Sequence, residues 1–92
     1  MDYAPPPDFA KRARVPSFDE YRRLYEESVK VPDVFWARIA ERITWRKKWT
    51  KVSDWNFTEP KIRWFEGGTL NVSENCLDRH VATWRKNKAA II

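Results

Sequence analysis

A short apolar run at positions 89–92, Ala-Ala-Ile-Ile, constrains this chain more than any other feature. It directly follows a Lys-Asn-Lys turn at positions 86–88. Short apolar runs of this kind are typical of buried strands in parallel sheets, and such a strand needs neighbours on both sides. The chain does not supply them, so we expect an α+β fragment that ends at the first core strand of a larger α/β domain.

The rest of the pattern is mainly helical and predicts about three short helices. Ser17 followed by Glu20 forms a capping box, and apolar residues then recur at helical spacing. Pro32 with Asp33 marks the start of a second helix, and Asn71 can cap a third. The predicted buried face of the third helix consists of Cys76, Leu77, His80, Val81 and Trp84.

One or two short strands are expected between the second and third helices. Residues 45–60 lose helical periodicity and are predicted to be irregular, with one short strand. Ile62, Trp64 and Phe65 form a β-like run that ends at Gly67 and Gly68. Residues 1–16 contain four prolines and are predicted to form an extended arm, which leaves residues 17–92 as one folded module.

Composition excludes several classes of protein. Two glycines in 92 residues leave no phosphate-binding loop, so a self-contained nucleotide enzyme is not expected. Cys76 is the single cysteine and favours a reducing, cytoplasmic location. No apolar run approaches the roughly 20 residues that span a bilayer, and the N-terminus has no leader pattern, so no membrane association is expected.

Positive charge is concentrated in the second half of the chain. Residues 1–45 carry eight basic and eight acidic side chains, whereas residues 46–92 carry ten and five. The segment from Trp45 to Trp55 mixes tryptophan with lysine and arginine, as single-strand binders do. Buried tryptophans with solvated lysine heads explain the pattern better, so nucleic-acid binding is disfavoured. A stand-alone basic module that binds an anionic partner remains the alternative function.

No residue is predicted to be catalytic, cofactor-binding or metal-binding. Cys76 and His80 lie four positions apart on one helix face, but two ligands are too few for zinc, and packing is favoured. Asp78 and Arg79 are interpreted as an ion pair that anchors the third helix to the Trp64 segment. No partner base or nucleophile accompanies Asp78, which argues against catalysis.

The most distinctive stretch runs from Trp64 to His80 and reads WFEGGTLNVSENCLDRH. With its Trp-Phe pair, Gly-Gly turn, Leu-Asn and Asn-Cys-Leu-Asp-Arg-His block, it resembles the N-terminal region of acetyl-CoA synthetases. The upstream Tyr-x-x-Leu-Tyr and Pro-x-x-Phe-Trp patterns extend the resemblance from Phe18 to Ile92. Two features depart from the family pattern: Glu74 replaces an aromatic residue, and the Arg-Lys-Lys stretch after Trp45 is unusually basic.

The resemblance implies a longer parent protein, an adenylate-forming ligase that converts acetate, ATP and CoA to acetyl-CoA, AMP and pyrophosphate. The family's catalytic motifs lie beyond Ile92, so ATP, magnesium and CoA are implied only for the parent. This chain alone is expected to be inactive, with the remainder of the ligase large domain as its partner and homo-oligomer contacts as a further expectation. Propionate enzymes share the pattern, although Asn71-Val72-Ser73 favours acetate.

Overall fold

The computed structural model describes residues 3–89 and 91–92, and the chain divides into two compact units, Met1–Phe35 and Trp36–Ile92. Their helices are α1 (Pro7–Arg12), α2 (Phe18–Lys30), α3 (Pro32–Ala40) and α4 (Arg79–Val81), with a π-helical turn at Glu74–Asp78 and a 3-10 turn at Trp84–Asn87. Strands β1 (Lys51–Asn56) and β2 (Lys61–Glu66) form one sheet. The predicted α+β, mainly helical fragment is therefore confirmed. None of the helices in the described residues is long and apolar enough to cross a membrane.

The prediction that residues 1–16 form an extended arm is wrong for α1, which occupies Pro7–Arg12. Pro5 and Pro6 precede the helix and Pro7 opens it, where a missing backbone N–H costs no intrahelical hydrogen bond, and Pro16 lies beyond its end. Asp8 lies in the first turn and Arg12 in the last, both favourable to the helix dipole. The domain boundary between residues 16 and 17 stays a prediction.

Helix α2 begins as its sequence predicts. The side chain of Ser17 accepts a hydrogen bond from the backbone N–H of Glu20 at 3.2 Å, while Ser17 itself is extended. The Glu20 carboxylate accepts two hydrogen bonds from Arg23. Helix α3 then opens at Pro32 with Asp33 in its first turn, as expected. Both helix starts were thus readable from capping and proline chemistry.

The two strands pair antiparallel in a hairpin whose register matches Lys51 with Glu66 and Trp55 with Ile62. Asn56 ends the first strand, and its Oδ1 accepts hydrogen bonds from the backbone N–H groups of Thr58 (2.8 Å) and Glu59 (3.1 Å). This Asx-type turn reverses the chain ahead of β2. One or two short strands were expected, and two form, paired with each other.

A small aromatic core holds the second unit together. The rings of Trp45, Trp49 and Phe65 lie with centroids 5.0–5.4 Å apart, in tilted and edge-on geometry. Trp45 Nε1 also donates a hydrogen bond of 2.9 Å to the carbonyl of Ala40, the most buried apolar residue of the described chain. The end of α3, the following loop and the end of β2 therefore meet at Trp45.

Both glycines after β2 are required by geometry. Gly67 has φ +76°, in the left-handed region that glycine tolerates best, and Phe65, two residues earlier, has φ +50°. Gly68 lies under Trp45, where an added Cβ would fall 2.7 Å from ring atom Cζ3 and 3.0 Å from the carbonyl oxygen of Phe65. The tight turn therefore needs Gly67, and the ring packing needs Gly68.

The strand predicted at positions 89–92 does not form among the described residues of that run. Ala89, Ile91 and Ile92 belong to no helix or strand, and Ala90 lies outside the described residues. Ile91 and Ile92 are fully exposed. An isolated strand leaves its backbone hydrogen-bonding groups without partners, so it requires neighbouring strands.

Gly68→Ala is expected to lower the free energy of unfolding by about 1–3 kcal/mol, because the new methyl group forces Trp45 off Phe65. Urea denaturation followed by tryptophan fluorescence measures the loss. Ser73→Ala is the control, since this position is exposed and its side chain makes no capping hydrogen bond. Equal stability of the two variants would contradict the packing role of Gly68.

The hairpin should lose stability in acid as Asp54 is protonated. Hydrogen bonds from Lys61 and then Lys51 lower the pKa of the Asp54 carboxyl from 3.8 to about 2. A depressed folded-state pKa means that the stabilisation is complete above the unfolded value and disappears as pH falls from about 4 to about 2. Wild type should therefore be more stable than Asp54→Asn above pH 4 but not at pH 2, in urea titrations. An NMR-measured Asp54 pKa near 3.8 would contradict this.

Candidate functional site

The Asn-Cys-Leu-Asp-Arg-His block fastens the helical segment to the loop after α3. Asn75 Oδ1 accepts a hydrogen bond from the Thr44 backbone N–H at 2.7 Å, and Asn75 Nδ2 donates to the Thr44 carbonyl at 2.9 Å. Arg79 Nη1 donates to the carbonyl of Arg42 at 3.0 Å. We call these three bonds the clasp. It joins positions more than 30 residues apart, so its role is to hold the unit's fold.

The helical start positions the clasp residues. Asn71 Oδ1 accepts a hydrogen bond from the Glu74 backbone N–H at 3.1 Å, which confirms the predicted cap. The chain then forms the π-helical turn Glu74–Asp78, a rare geometry often found where side chains are specially placed. Arg79 Nη1 also lies 3.3 Å from Asn75 Oδ1, so the two clasp residues share one face.

The two departures from the family pattern contact each other. Arg46, in the unusually basic stretch, donates through Nε to the Glu74 carboxylate at 3.2 Å. Glu74 lies at the start of the same helical segment that the clasp holds. The pair is partly exposed and therefore contributes little energy by itself, but it adds a charged contact beside the clasp.

The interpretation of Asp78 and Arg79 as an anchor to the Trp64 segment is wrong. Arg79 donates to the Arg42 carbonyl. A guanidinium can donate to a backbone carbonyl in a neighbouring loop just as it can donate to a carboxylate. Cys76 is an exposed free thiol, and His80 is half-buried. Within the described residues, no three His, Cys, Asp or Glu side chains converge as a metal site.

The predicted buried face of the third helix is instead open, which corrects the sequence interpretation. Leu77 and Val81 are each 63% exposed and Trp84 is 80% exposed, since no segment of the described chain packs over them. The face borders an open cleft of about 350 Å³. We call this cleft the helix cleft. Its lining residues are Cys76, Leu77, His80, Val81, Arg85, Lys86, Lys88 and Ala89.

A second apolar surface lies on one side of the hairpin. Trp55 and Ile62 are cross-strand partners, 65% and 76% exposed, and Phe57 at the tip is 91% exposed. An open cleft of about 580 Å³ runs along this surface, which we call the hairpin face. Its lining residues are Trp55, Asn56, Phe57, Pro60, Ile62 and Trp64. Exposed apolar patches on soluble proteins can mark interaction surfaces, so the hairpin face is a candidate interaction surface.

The basic-aromatic segment from Trp45 to Trp55 is largely occupied by internal contacts. Trp45 and Trp49 pack on Phe65, as the packing interpretation predicted. Lys48 pairs with Glu41 at 2.6 Å. Arg46 and Lys51 also pair with carboxylates. Trp55 alone of these three tryptophans is mainly exposed, and it belongs to the hairpin face.

Sequence reasoning missed the clasp and the hairpin face. Thr44 and Arg42 contribute only backbone atoms to the clasp, so the identity of these two residues does not indicate the contact in the sequence. The hairpin face is visible as a pattern in the sequence. Trp55 is two positions before Phe57, and Ile62 is two positions before Trp64, which is the spacing of side chains on one side of a strand.

Asn75→Asp is expected to lower the free energy of unfolding by about 1–3 kcal/mol, because a carboxylate cannot donate to the Thr44 carbonyl. Urea denaturation at pH 7 measures the change. Asn87→Asp makes the same substitution at an exposed position of the 3-10 turn and serves as the control. Identical loss in both variants would show that added negative charge, and not the broken clasp, is responsible.

Comparison with known proteins places the chain in a family. The sequence profile of the family "Acetyl-coenzyme A synthetase N-terminus" matches residues 21–76. The acetyl-coenzyme A synthetase of Leptospira biflexa is 55% identical over 89 residues, covering 97% of this chain and 14% of the relative. That of Chlorobaculum tepidum is 46% identical over 90 residues, covering 98% and 13%. Acetyl-coenzyme A synthetase 2 of Pseudomonas putida is 52% identical over 64 residues, covering 70% and 10%.

The residues that match the family profile include the clasp residue Asn75, the aromatic core and the glycine turn. The profile therefore covers the segment in which these contacts form. The chain spans only about 14% of the length of the Leptospira relative. The resemblance read from the Trp64–His80 stretch is confirmed. This chain belongs to the acetyl-coenzyme A synthetase N-terminus family.

Proposed function

We propose that the chain serves as the N-terminal structural module of an AMP-forming acetate–CoA ligase, in which acetate and ATP give acetyl-adenylate and pyrophosphate before CoA takes the acetyl group. One observation carries the proposal: 97% of this chain aligns with 14% of a relative named acetyl-coenzyme A synthetase. The proposed site of action is the cytoplasm. The relatives named above lend no support to a stand-alone basic module.

The module's role in this proposal is to pack, and the catalytic steps belong to the rest of the parent. ATP, magnesium and CoA would be bound by that remainder, because the sequence has no phosphate-binding loop and Asn75 and Arg79 are engaged in the clasp. Arg79 and Asn75 bond to backbone groups of the module itself. Their proposed contribution to activity is therefore indirect, through the shape of the module.

The open apolar surfaces support a packing role. Covering a side chain such as Leu77 or Val81 stabilises a protein by about 1.5–3 kcal/mol when burial is complete. Both side chains are 63% exposed here, and Phe57 on the hairpin face is 91% exposed. We propose that the remainder of the ligase large domain covers the helix cleft. Contacts between copies of the parent are a proposed use of the hairpin face.

The test is a chimera in which this chain replaces the matching 89 residues of the Leptospira biflexa relative. We expect acetate-dependent formation of AMP from ATP within about tenfold of the unmodified relative, a difference of about 1.4 kcal/mol in barrier. The 92-residue chain by itself should form no AMP. A variant of the relative that lacks these residues measures how much of the acetate-dependent AMP formation depends on the module. A folded chimera without acetate-dependent activity would overturn the proposal.

A further inference from the structure

Half of the ten cations in the second half of the chain are paired with carboxylates. Five basic side chains of residues 46–92 form ion pairs: Arg46 with Glu74, Lys48 with Glu41, Lys51 and Lys61 with Asp54, and Arg63 with Glu66. Arg79 is held by backbone carbonyl and amide oxygen in the clasp. The positive excess of this half therefore comes from the cations that form no ion pair within the described residues, which are Lys47, Arg79, Arg85, Lys86 and Lys88.

Three of these unpaired cations, Arg85, Lys86 and Lys88, lie together beside one cleft. Within the described residues none of these three side chains has a carboxylate within ion-pair distance, and all three are exposed. Arg85 lies over the ring of its neighbour Trp84, 5.1 Å from the ring centroid. All three cations line the helix cleft, beside the apolar side chains of Leu77 and Val81, and no acidic residue lines it.

The hairpin face is different in charge. The cations on the hairpin are Lys51, Lys61 and Arg63, and every one is paired with a carboxylate of the hairpin itself. That surface is apolar and electrically balanced, whereas the helix cleft is apolar with an unbalanced positive rim. The two surfaces therefore fit partners of different chemistry.

We propose that the helix cleft docks onto an acidic surface of the rest of the parent protein, with an apolar centre that covers Leu77 and Val81 and carboxylates that face Arg85, Lys86 and Lys88. The inference rests on the proposed function and adds the chemistry of the contact. An apolar centre with a charged rim is the anatomy of a protein–protein interface. A nucleic acid would neutralise the cations but would leave most of the apolar side chains uncovered.

Rim charges of this kind chiefly set orientation and salt dependence, while the apolar centre supplies most of the affinity. At about 0.15 M salt the screening length is roughly 8 Å, so exposed pairs weaken further as salt is added. Loss of the three cations should therefore destabilise the assembled protein most at low ionic strength. Loss of Leu77 or Val81 should destabilise it at every ionic strength.

The experiment compares three variants of the chimera described above. Arg85→Gln with Lys86→Gln and Lys88→Gln removes the rim charge, and R85K/K86R/K88R retains it. Lys11→Gln with Arg14→Gln and Lys47→Gln is the control, with the same change in net charge on exposed cations that form no ion pair in the described residues and are well separated from Arg85 in the sequence. The readout is the thermal midpoint of unfolding at 50 mM and 500 mM NaCl.

The rim variant should unfold about 3 °C lower at 50 mM salt, with less than half of that shift at 500 mM. The charge-retaining variant and the control should stay within about 1 °C of the unsubstituted chimera. A rim variant that behaves like the control would overturn the inference, and with an active chimera it would leave the proposed function intact. An inactive unsubstituted chimera would instead overturn the function.

A second measurement tests the nucleic-acid outcome. The 92-residue chain is titrated with a 20-nucleotide oligo(dT) at 50 mM NaCl while tryptophan fluorescence is recorded. No saturable change is expected. A saturable change that disappears in the Arg85→Gln, Lys86→Gln and Lys88→Gln variant would overturn the inference in favour of nucleic-acid binding.

Discussion

The second unit depends on one indole ring. Trp45 is fixed at its edge by a hydrogen bond from Nε1 to the Ala40 carbonyl and on its faces by Trp49, Phe65 and the bare backbone of Gly68. Through these contacts the end of α3, the strand β2 and the glycine turn share one core. A unit this small buries few side chains completely, and only Ala40 and Val52 of the described chain are buried apolar residues. Ring packing around Trp45 therefore provides much of its apolar stabilisation.

The clasp extends that core to the last helical segment. Asn75 satisfies both backbone groups of Thr44, much as a strand partner would, and Arg79 satisfies the carbonyl of Arg42. Asn75 and Arg79 of the Asn-Cys-Leu-Asp-Arg-His block thus have an architectural role in this chain, since both side chains bond backbone groups of the loop after α3. Arg46 and Glu74 form an ion pair beside the clasp.

Local chemistry made much of the fold predictable. The Ser17 cap, the Pro32 start, the Asn71 cap and the need for glycine at position 67 each depend on atoms within four residues along the chain, and all four were read correctly. Predictions that required distant partners did worse. Arg79 was assigned to the Trp64 segment but binds Arg42, and the pairing of β1 with β2 was not foreseen although the β-like character of Ile62–Phe65 was.

The sequence by itself determined the starts of α2, α3 and the last helical segment, the β-like character of Ile62–Phe65 and the family, because these follow from spacing, residue type and order. Only the tertiary structure decided which apolar faces are covered. Leu77, Val81 and Trp84 have the periodicity of a buried face and yet lie open, while Trp45 in an aperiodic segment is the centre of the core. Periodicity shows that a helix has an apolar side; whether that side is buried depends on which segments reach it, and this is a property of the whole fold.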